Sequence, residues 1–291
     1  PRVQSKPEAD FYLIDGLEPL PVGLEGVSME EKIAGEILSP QGSRHADTRP
    51  GAWDPQARLK DQEMDHLRAE VMYPGVGLFL SAAPDAEYQR ECFRVYNDWL
   101  SEFCAAAPDR FLGVGLLPMR GPIEWAVEEA ERVAAKGLRS VSIPSEVADR
   151  PYRLAEYDPL WAAVQDLDLP LSMHVGTDEP FYMKADRMGV GKAFVDTKIC
   201  AIERAMADII WGAVPQRYPK LRFVLAEGGI GWIASVLGSM DHWWADHRNW
   251  MEPRVDEAPS FYFRRQFWAC CSRPANAHSH AQPQDGSGAL A

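Results

Sequence analysis

The chain has 291 residues, 46% of them hydrophobic, and a formal net charge of −13 at pH 7. That is long enough for one large domain with a substantial core and too apolar for disorder. The acidic balance argues against a nucleic-acid partner, and no apolar run approaches the ~20 residues of a membrane span. No secretory leader is recognisable, and the five cysteines (92, 104, 200, 270 and 271) are odd in number and lack CxxC spacing. Both points fit a reducing cytoplasm.

Residues 1–60 are rich in Pro, Gly and charge and read as an extension. Within them Phe11-Tyr-Leu-Ile14, the turn signal Asp15-Gly16 and Leu20 to Val22 suggest a small hairpin, and a short helix is expected near Glu30–Ile37. From about Lys60 short apolar runs and helical patterns alternate. Glu70-Val-Met-Tyr73 is a strand stopped by Pro74-Gly75. Tyr88, Cys92, Val95, Tyr96, Trp99, Leu100 and Phe103 then fall on one face at a period of 3.6. Phe111-Leu-Gly-Val-Gly-Leu-Leu-Pro118 has the all-apolar character of a strand buried on both faces.

The unit repeats. Gly121-Pro122 opens a helix that Gly137 stops, and Ser140 to Ile143 is a strand. Asp158-Pro159 starts the next helix, with Asp158 as its N-cap. A strand at Leu171 ends on His174, and a long loop from Gly176 leads to a helix bearing Ile202, Met206, Ile209 and Ile210. The strand from Leu221 ends on Glu227, a helix runs from about Gly231 to Trp244, and Phe263 to Cys271 suggests one more strand. This alternation means parallel βαβ units. Residues 61–268 read as a barrel domain and 269–291 as an unpatterned tail.

In a parallel α/β barrel the residues at the C-terminal strand ends face the site. His174 and Glu227 hold that position. Their types are those of metal ligation and general acid–base chemistry. His174 outweighs its bland reading as a core histidine because Gly176-Thr177 and a polar loop follow it. Glu227 alternatively serves a salt bridge to Arg222 or Lys192. Asp178 and Trp232, just beyond the two strand ends, are the substrate-binding candidates. Gly228-Gly-Ile-Gly-Trp232 lacks G-x-G-x-x-G spacing and is not read as a dinucleotide loop. It reads as a sharp turn into a helix whose N-terminus favours an anionic group. Trp99, Trp161 and Trp211 are assigned to the core, and Trp243, Trp244, His242 and His247 to an aromatic packing or subunit-contact patch.

Five segments, in this order and spacing, resemble the amidohydrolase-related family, the branch of the amidohydrolase superfamily that includes aminocarboxymuconate semialdehyde decarboxylase-like enzymes. They are Ala69-Glu-Val-Met-Tyr-Pro74, Asp109-Arg-Phe-Leu-Gly-Val-Gly-Leu-Leu-Pro118, Tyr157-Asp-Pro-Leu-Trp161, Leu171-Ser-Met-His-Val-Gly176 and Leu221 through Trp232. The resemblance implies a (β/α)8 TIM barrel and a metal-dependent hydrolase or non-oxidative decarboxylase of a small carboxylated or cyclic substrate. It implies a divalent metal, zinc first and manganese second, held by an HxH or ExH pair on strand one, a His on strand five and an Asp on strand eight. His174 matches the strand-five ligand. Glu227 stands where the decarboxylases often carry a catalytic His.

The strand-one pair is not found, since the first 70 residues hold only His45 and His66. Nor does a Gly-Ser-Asp or Gly-Thr-Asp run follow Phe267. His278-Ser-His280 has the HxH letters but lies in the unpatterned tail. The expectation is therefore a barrel lacking its first and last strands, with a weakly held metal. The alternative is an inactive barrel fragment or scaffold. The partners expected are a small-molecule substrate, with no nucleic acid or membrane, and optionally further copies of the chain.

Overall fold

A computed structural model describes residues 1–22, 44–147, 149–177 and 200–270. Two β-sheets organise them. The first is antiparallel, in the order β1 (Arg2–Ser5), β2 (Asp10–Leu13), β3 (Leu20–Pro21). It contains the expected hairpin, with Gly16 at φ 82° in the turn, and adds β1, which the sequence reading missed. Ile14 and Leu20 pack it onto Leu78, Leu80, Phe93 and Leu116. Arg44 ties it further, donating to the carbonyls of Lys6 and Pro7 and to Asp10. The helix expected near Glu30–Ile37, the loop after Thr177 with Asp178 and Lys192, and the tail with His278 and His280 lie outside the described residues.

The second sheet has six parallel strands in sequence order: β4 (Glu70–Met72), β5 (Phe111–Leu116), β6 (Ser140–Pro144), β7 (Leu171–His174), β8 (Phe223–Ala226) and β9 (Phe267–Ala269). Between them run α2 (Ala86–Ala105), α3 (Ile123–Ala135), α4 (Asp158–Asp166), α5 (Ala201–Trp211), α6 (Val214–Arg217), α7 (Ile233–His247) and α8 (Pro259–Gln266). Helix α1 (Pro55–Met64) precedes β4. Its start signal is Asp54, which caps the Gln56 N–H, with Pro at the first position.

Register divides the strand residues into two sets. Val141 and Ile143 pair with Leu171 and Met173, and these with Phe223 and Leu225. All are buried under the helices. Gly113 belongs to the same side: a Cβ there would lie 2.8 Å from Leu138 and 2.9 Å from the Cys104 sulfur, so only glycine lets α2 approach β5 this closely. The other set is Val71, Leu112, Val114, Leu116, Ser140, Ser142, Ser172, His174, Val224 and Trp268. It faces the inside of a curl. On a flat sheet β4 and β7 would be about 14 Å apart. Yet the Tyr73 hydroxyl, just past β4, lies 2.9 Å from Ser172 Oγ on β7. Only a strongly curved sheet brings those side chains together.

The fold is thus an α/β half-barrel, as expected. Among the described residues β4 and β9 are its edges. Their inward residues Val71 and Trp268 are each 52% exposed, where a closed eight-stranded barrel would bury them.

Three local expectations are corrected. The buried stripe of α2 is Gln89, Phe93, Asn97, Leu100, Phe103 and Cys104, and Val95 is exposed. The face is rotated because its two polar residues bind backbone. Gln89 donates to the Leu80 and Ser81 carbonyls. Asn97 accepts from the Leu116 N–H and donates to the Leu116 carbonyl and to buried Glu129. Glu129 in turn holds Arg132, which also binds Asp98. Asp158 does not cap α4 but occupies its first turn and pairs with Arg217 at 2.8 Å. Phe263 is helical, and only Phe267–Ala269 is strand.

The tryptophans divide similarly. Trp161 is fully buried, whereas Trp99, assigned to the core, is 39% exposed. Trp243, His247 and Trp250 form a surface ladder, with centroids 5.2 and 5.1 Å apart, while Trp244 turns in and donates to the Val255 carbonyl.

Two outcomes are expected. Asn97→Ala strips partners from a buried N–H and carbonyl on β5 and from Glu129. It should cost about 3 kcal/mol in urea denaturation, and a change under 1 kcal/mol would show that Asn97 does not secure the strand. Burial raises the Tyr152 and Tyr157 hydroxyls above the ordinary range and pushes the Cys104 thiol up to about 11. These groups bind protons more tightly folded than unfolded. Their stabilisation is therefore complete below the unfolded thiol pKa of about 8.5 and is lost as pH rises through the folded values. Tyrosinate absorbance from Tyr152 and Tyr157 should appear together with the loss of helical circular dichroism, not before it.

Candidate active site

Each strand of the half-barrel ends on the same rim. β7 delivers His174 there, and the first residue after β8 is Glu227. The expectation that both lie at one end of the sheet holds. Thr177 shapes the turn after β7: its hydroxyl donates to the His174 carbonyl at 2.6 Å and accepts from the Ser145 N–H at 2.8 Å, joining the ends of β7 and β6.

His174 is buried, at 6% exposure. Its Nδ1 lies 2.8 Å from the Val175 carbonyl. A carbonyl only accepts, so Nδ1 carries a proton, and in the neutral form of the ring Nε2 would hold the lone pair. Nε2 is 3.8 Å from Glu227 Oε2, an ion-pair distance too long for a direct hydrogen bond. The Glu227 side chain is 53% exposed, so the carboxylate reaches solvent while the imidazole does not. Arg222, offered as the structural partner of Glu227, pairs instead with Asp168 at 2.7 Å. Glu227 has φ +60°, a left-handed conformation that L-residues other than glycine adopt at a cost.

Two residues not singled out from the sequence complete the described site. The Tyr73 ring lies against His174, centroids 5.0 Å apart and planes at 52°. Its hydroxyl bonds Ser172, on the same inward face two residues before His174. Burial raises the Tyr73 hydroxyl above its usual range, and the nearby Glu227 carboxylate adds to the rise. Tyr73 is thus a neutral phenol. The strand-end rule that picked out His174 applies equally to Tyr73, the last residue before Pro74.

Trp232 stands at the start of α7 and donates its indole N–H to the Gly228 carbonyl at 2.9 Å. Its ring is half-buried against the core. A cavity of about 430 Å³, lined by Ser145, Glu146, Tyr152, Arg153, Arg204 and Trp211 among others, lies between the loop after β6 and α5. Neither His174 nor Glu227 lines it. Among the described residues no three His, Cys, Asp or Glu side chains gather closely enough to hold a metal ion. Nor is any described helix long and apolar enough to cross a membrane.

Residues 17–283 match the family model described as amidohydrolase. A gamma-resorcylate decarboxylase of Rhodococcus jostii is 31% identical over 242 residues, which are 75% of this chain and 69% of that protein. A crystal structure of an amidohydrolase from Mycobacterium avium subsp. paratuberculosis superimposes with a TM-score of 0.75 at 19% identity, covering 96% of this chain and 76% of that one. A dihydroxybenzoic acid decarboxylase from Polaromonas, solved with bound manganese and the inhibitor 2-nitroresorcinol, gives a TM-score of 0.56 at 24% identity over 74% of this chain and 66% of that one. The chain therefore spans about two-thirds to three-quarters of the length of these relatives. With the half-barrel, the rim position of His174 and the match over most of its length, the chain belongs to the amidohydrolase family.

Proposed function

We propose that residues 61–268 carry the substrate-facing part of a metal-dependent amidohydrolase-type enzyme, and that its reaction is non-oxidative decarboxylation of a small aromatic carboxylate. The observation that carries this reading is the buried imidazole of His174, with Nδ1 on the Val175 carbonyl and Nε2 3.8 Å from the Glu227 carboxylate at the strand-end rim. The names of the Rhodococcus and Polaromonas relatives favour decarboxylation over hydrolysis.

In donor type the pair suits a divalent cation: an imidazole and a carboxylate serve zinc and manganese alike. The resemblance in the sequence favours zinc, and the Polaromonas structure manganese. In number the described donors fall short of the three or four that a tight site needs. When bound, such an ion supplies Lewis-acid polarisation of the substrate. His174 would hold it through Nε2.

The remaining work falls to this chain's own side chains. Replacing a ring carboxylate by hydrogen requires a proton at the ring carbon and loss of carbon dioxide. Glu227, half-exposed at the rim, is the group that would hold that proton on a carboxylate oxygen and pass it on. Asp178 and Trp232 are proposed to contact substrate. The shortfall of donors favours a second reading, an inactive scaffold, and one experiment separates the two.

Purified protein is titrated with zinc and with manganese and assayed for carbon dioxide release from 2,6-dihydroxybenzoate, beside His174→Ala and Glu227→Gln. The expected result is weak binding that His174→Ala removes, and any measurable turnover falling at least 100-fold in Glu227→Gln. Metal binding indifferent to His174 would overturn the site. Binding without turnover would favour the scaffold. The backbone at Glu227 gives a separate outcome: Glu227→Gly should be more stable than Glu227→Ala by about 1 kcal/mol, because only the alanine keeps the left-handed strain. Equal stabilities would show that the residue relaxes from this conformation.

A further inference from the structure

We infer that Tyr73 is the positioning residue of His174, clamping the imidazole from across the sheet. The inference rests on the reading of His174 as the working imidazole. Two contacts define the clamp. The phenol ring lies 5.0 Å from the imidazole, and the hydroxyl is 2.9 Å from Ser172 Oγ. The ring thus blocks one side of His174 while its far end is anchored to the strand that carries His174. The Val175 carbonyl fixes Nδ1. One contact sets the proton, and the other restrains the ring against rotation.

The anchor matters because Ser172 is buried, where losing a hydrogen bond is costly. Ser172 is 1% exposed. Its register neighbour Ser142 is also 1% exposed and has a buried hydroxyl with no hydrogen-bond partner among the described residues. If Tyr73 swung away, the buried Ser172 hydroxyl would lose this hydrogen bond, which destabilises the fold. Rotating His174 means displacing Tyr73, and displacing Tyr73 strips Ser172. The imidazole therefore inherits the rigidity of a bond made one layer deeper in the curl. Tyr73 lies just past the end of β4 and His174 ends a strand three places away, so the clamp exists only when the sheet is curled.

The test uses the full chain labelled with ¹⁵N-histidine at about pH 8, where an unperturbed imidazole is neutral. The His174 signals are assigned by their loss in His174→Ala. The variants are Tyr73→Phe, Tyr73→Leu and Tyr73→Phe/Ser172→Ala. The expected result is a single Nδ1–H tautomer in the parent and an averaged mixture in Tyr73→Leu. Tyr73→Phe should lower the urea midpoint, and adding Ser172→Ala should recover it. Zinc affinity should fall at least 10-fold in Tyr73→Leu, the scale of losing a group that orients a ligand. A purely structural Tyr73 would lower the urea midpoint and leave the tautomer signature as in the parent, and that result overturns the inference. Should Tyr73→Leu not fold, line broadening of the His174 signals in Tyr73→Phe decides the same question, sharp parent-like lines again overturning it. If the parent binds no zinc, the proposed function fails while the tautomer comparison still decides this one.

Discussion

The site depends on one constraint: six strands lie parallel, in sequence order, in a single curled sheet. Parallel order forces each connection back over the sheet, which covers the outer face with helices and sends every strand's C-terminal end to one rim. Curl then brings strands distant in the sheet within side-chain reach. Without the first property His174 and Glu227 would not share a rim. Without the second Tyr73 would not touch Ser172.

The sheet's two faces follow different rules, and the sequence writes both. The outer set, Val141, Ile143, Leu171, Met173, Phe223 and Leu225, is uniformly apolar and buried. The inner set on β6 and β7 is Ser140, Ser142, Ser172 and His174. The alternation Ser140-Val-Ser-Ile and Leu171-Ser-Met-His is therefore a period-two signal of an apolar outside and a polar inside. Polar groups inside a barrel need partners. Ser140 finds the Pro170 carbonyl and Ser172 finds Tyr73, while Ser142 finds none among the described residues.

What the sequence revealed and what it hid differ in physical kind. Strand ends, the helices of each βαβ unit and the family were legible, because hydrophobic period and strand-end chemistry are local properties. The buried face of α2 was not. An apolar count rotated the stripe towards Val95, whereas Gln89 and Asn97 are inside because specific carbonyls and N–H groups await them. That information lies in residues 80, 81 and 116, not in the helix. Tyr73 escaped for a related reason: its partner is on another strand about a hundred residues later. The end of helix α8 was hidden because Phe263 reads as strand by propensity, although Ala258-Pro259 ahead of it is a helix start.

Backbone strain sharpens the reading of the rim only when chemistry joins it. Five non-glycine residues have positive φ: His66, Asp149, Asp168, Ala213 and Glu227. A left-handed conformation alone therefore marks no site. Asp168 closes a turn and pairs with Arg222, and Ala213 links α5 to α6. Glu227 differs in what the strain accomplishes. Two glycines follow it, and a glycine in its own place would have made the same turn at no steric cost. Keeping a carboxylate there sets a charge 3.8 Å from a buried imidazole. In an apolar surround that charge would be costly, and its half-exposed position at the rim relieves the cost while leaving the group within reach of a ligand in the curl. The contact at Val175, the clamp from Tyr73 and the strained Glu227 act on one imidazole from three strand ends, which is how a sheet of modest regularity holds a single side chain rigidly.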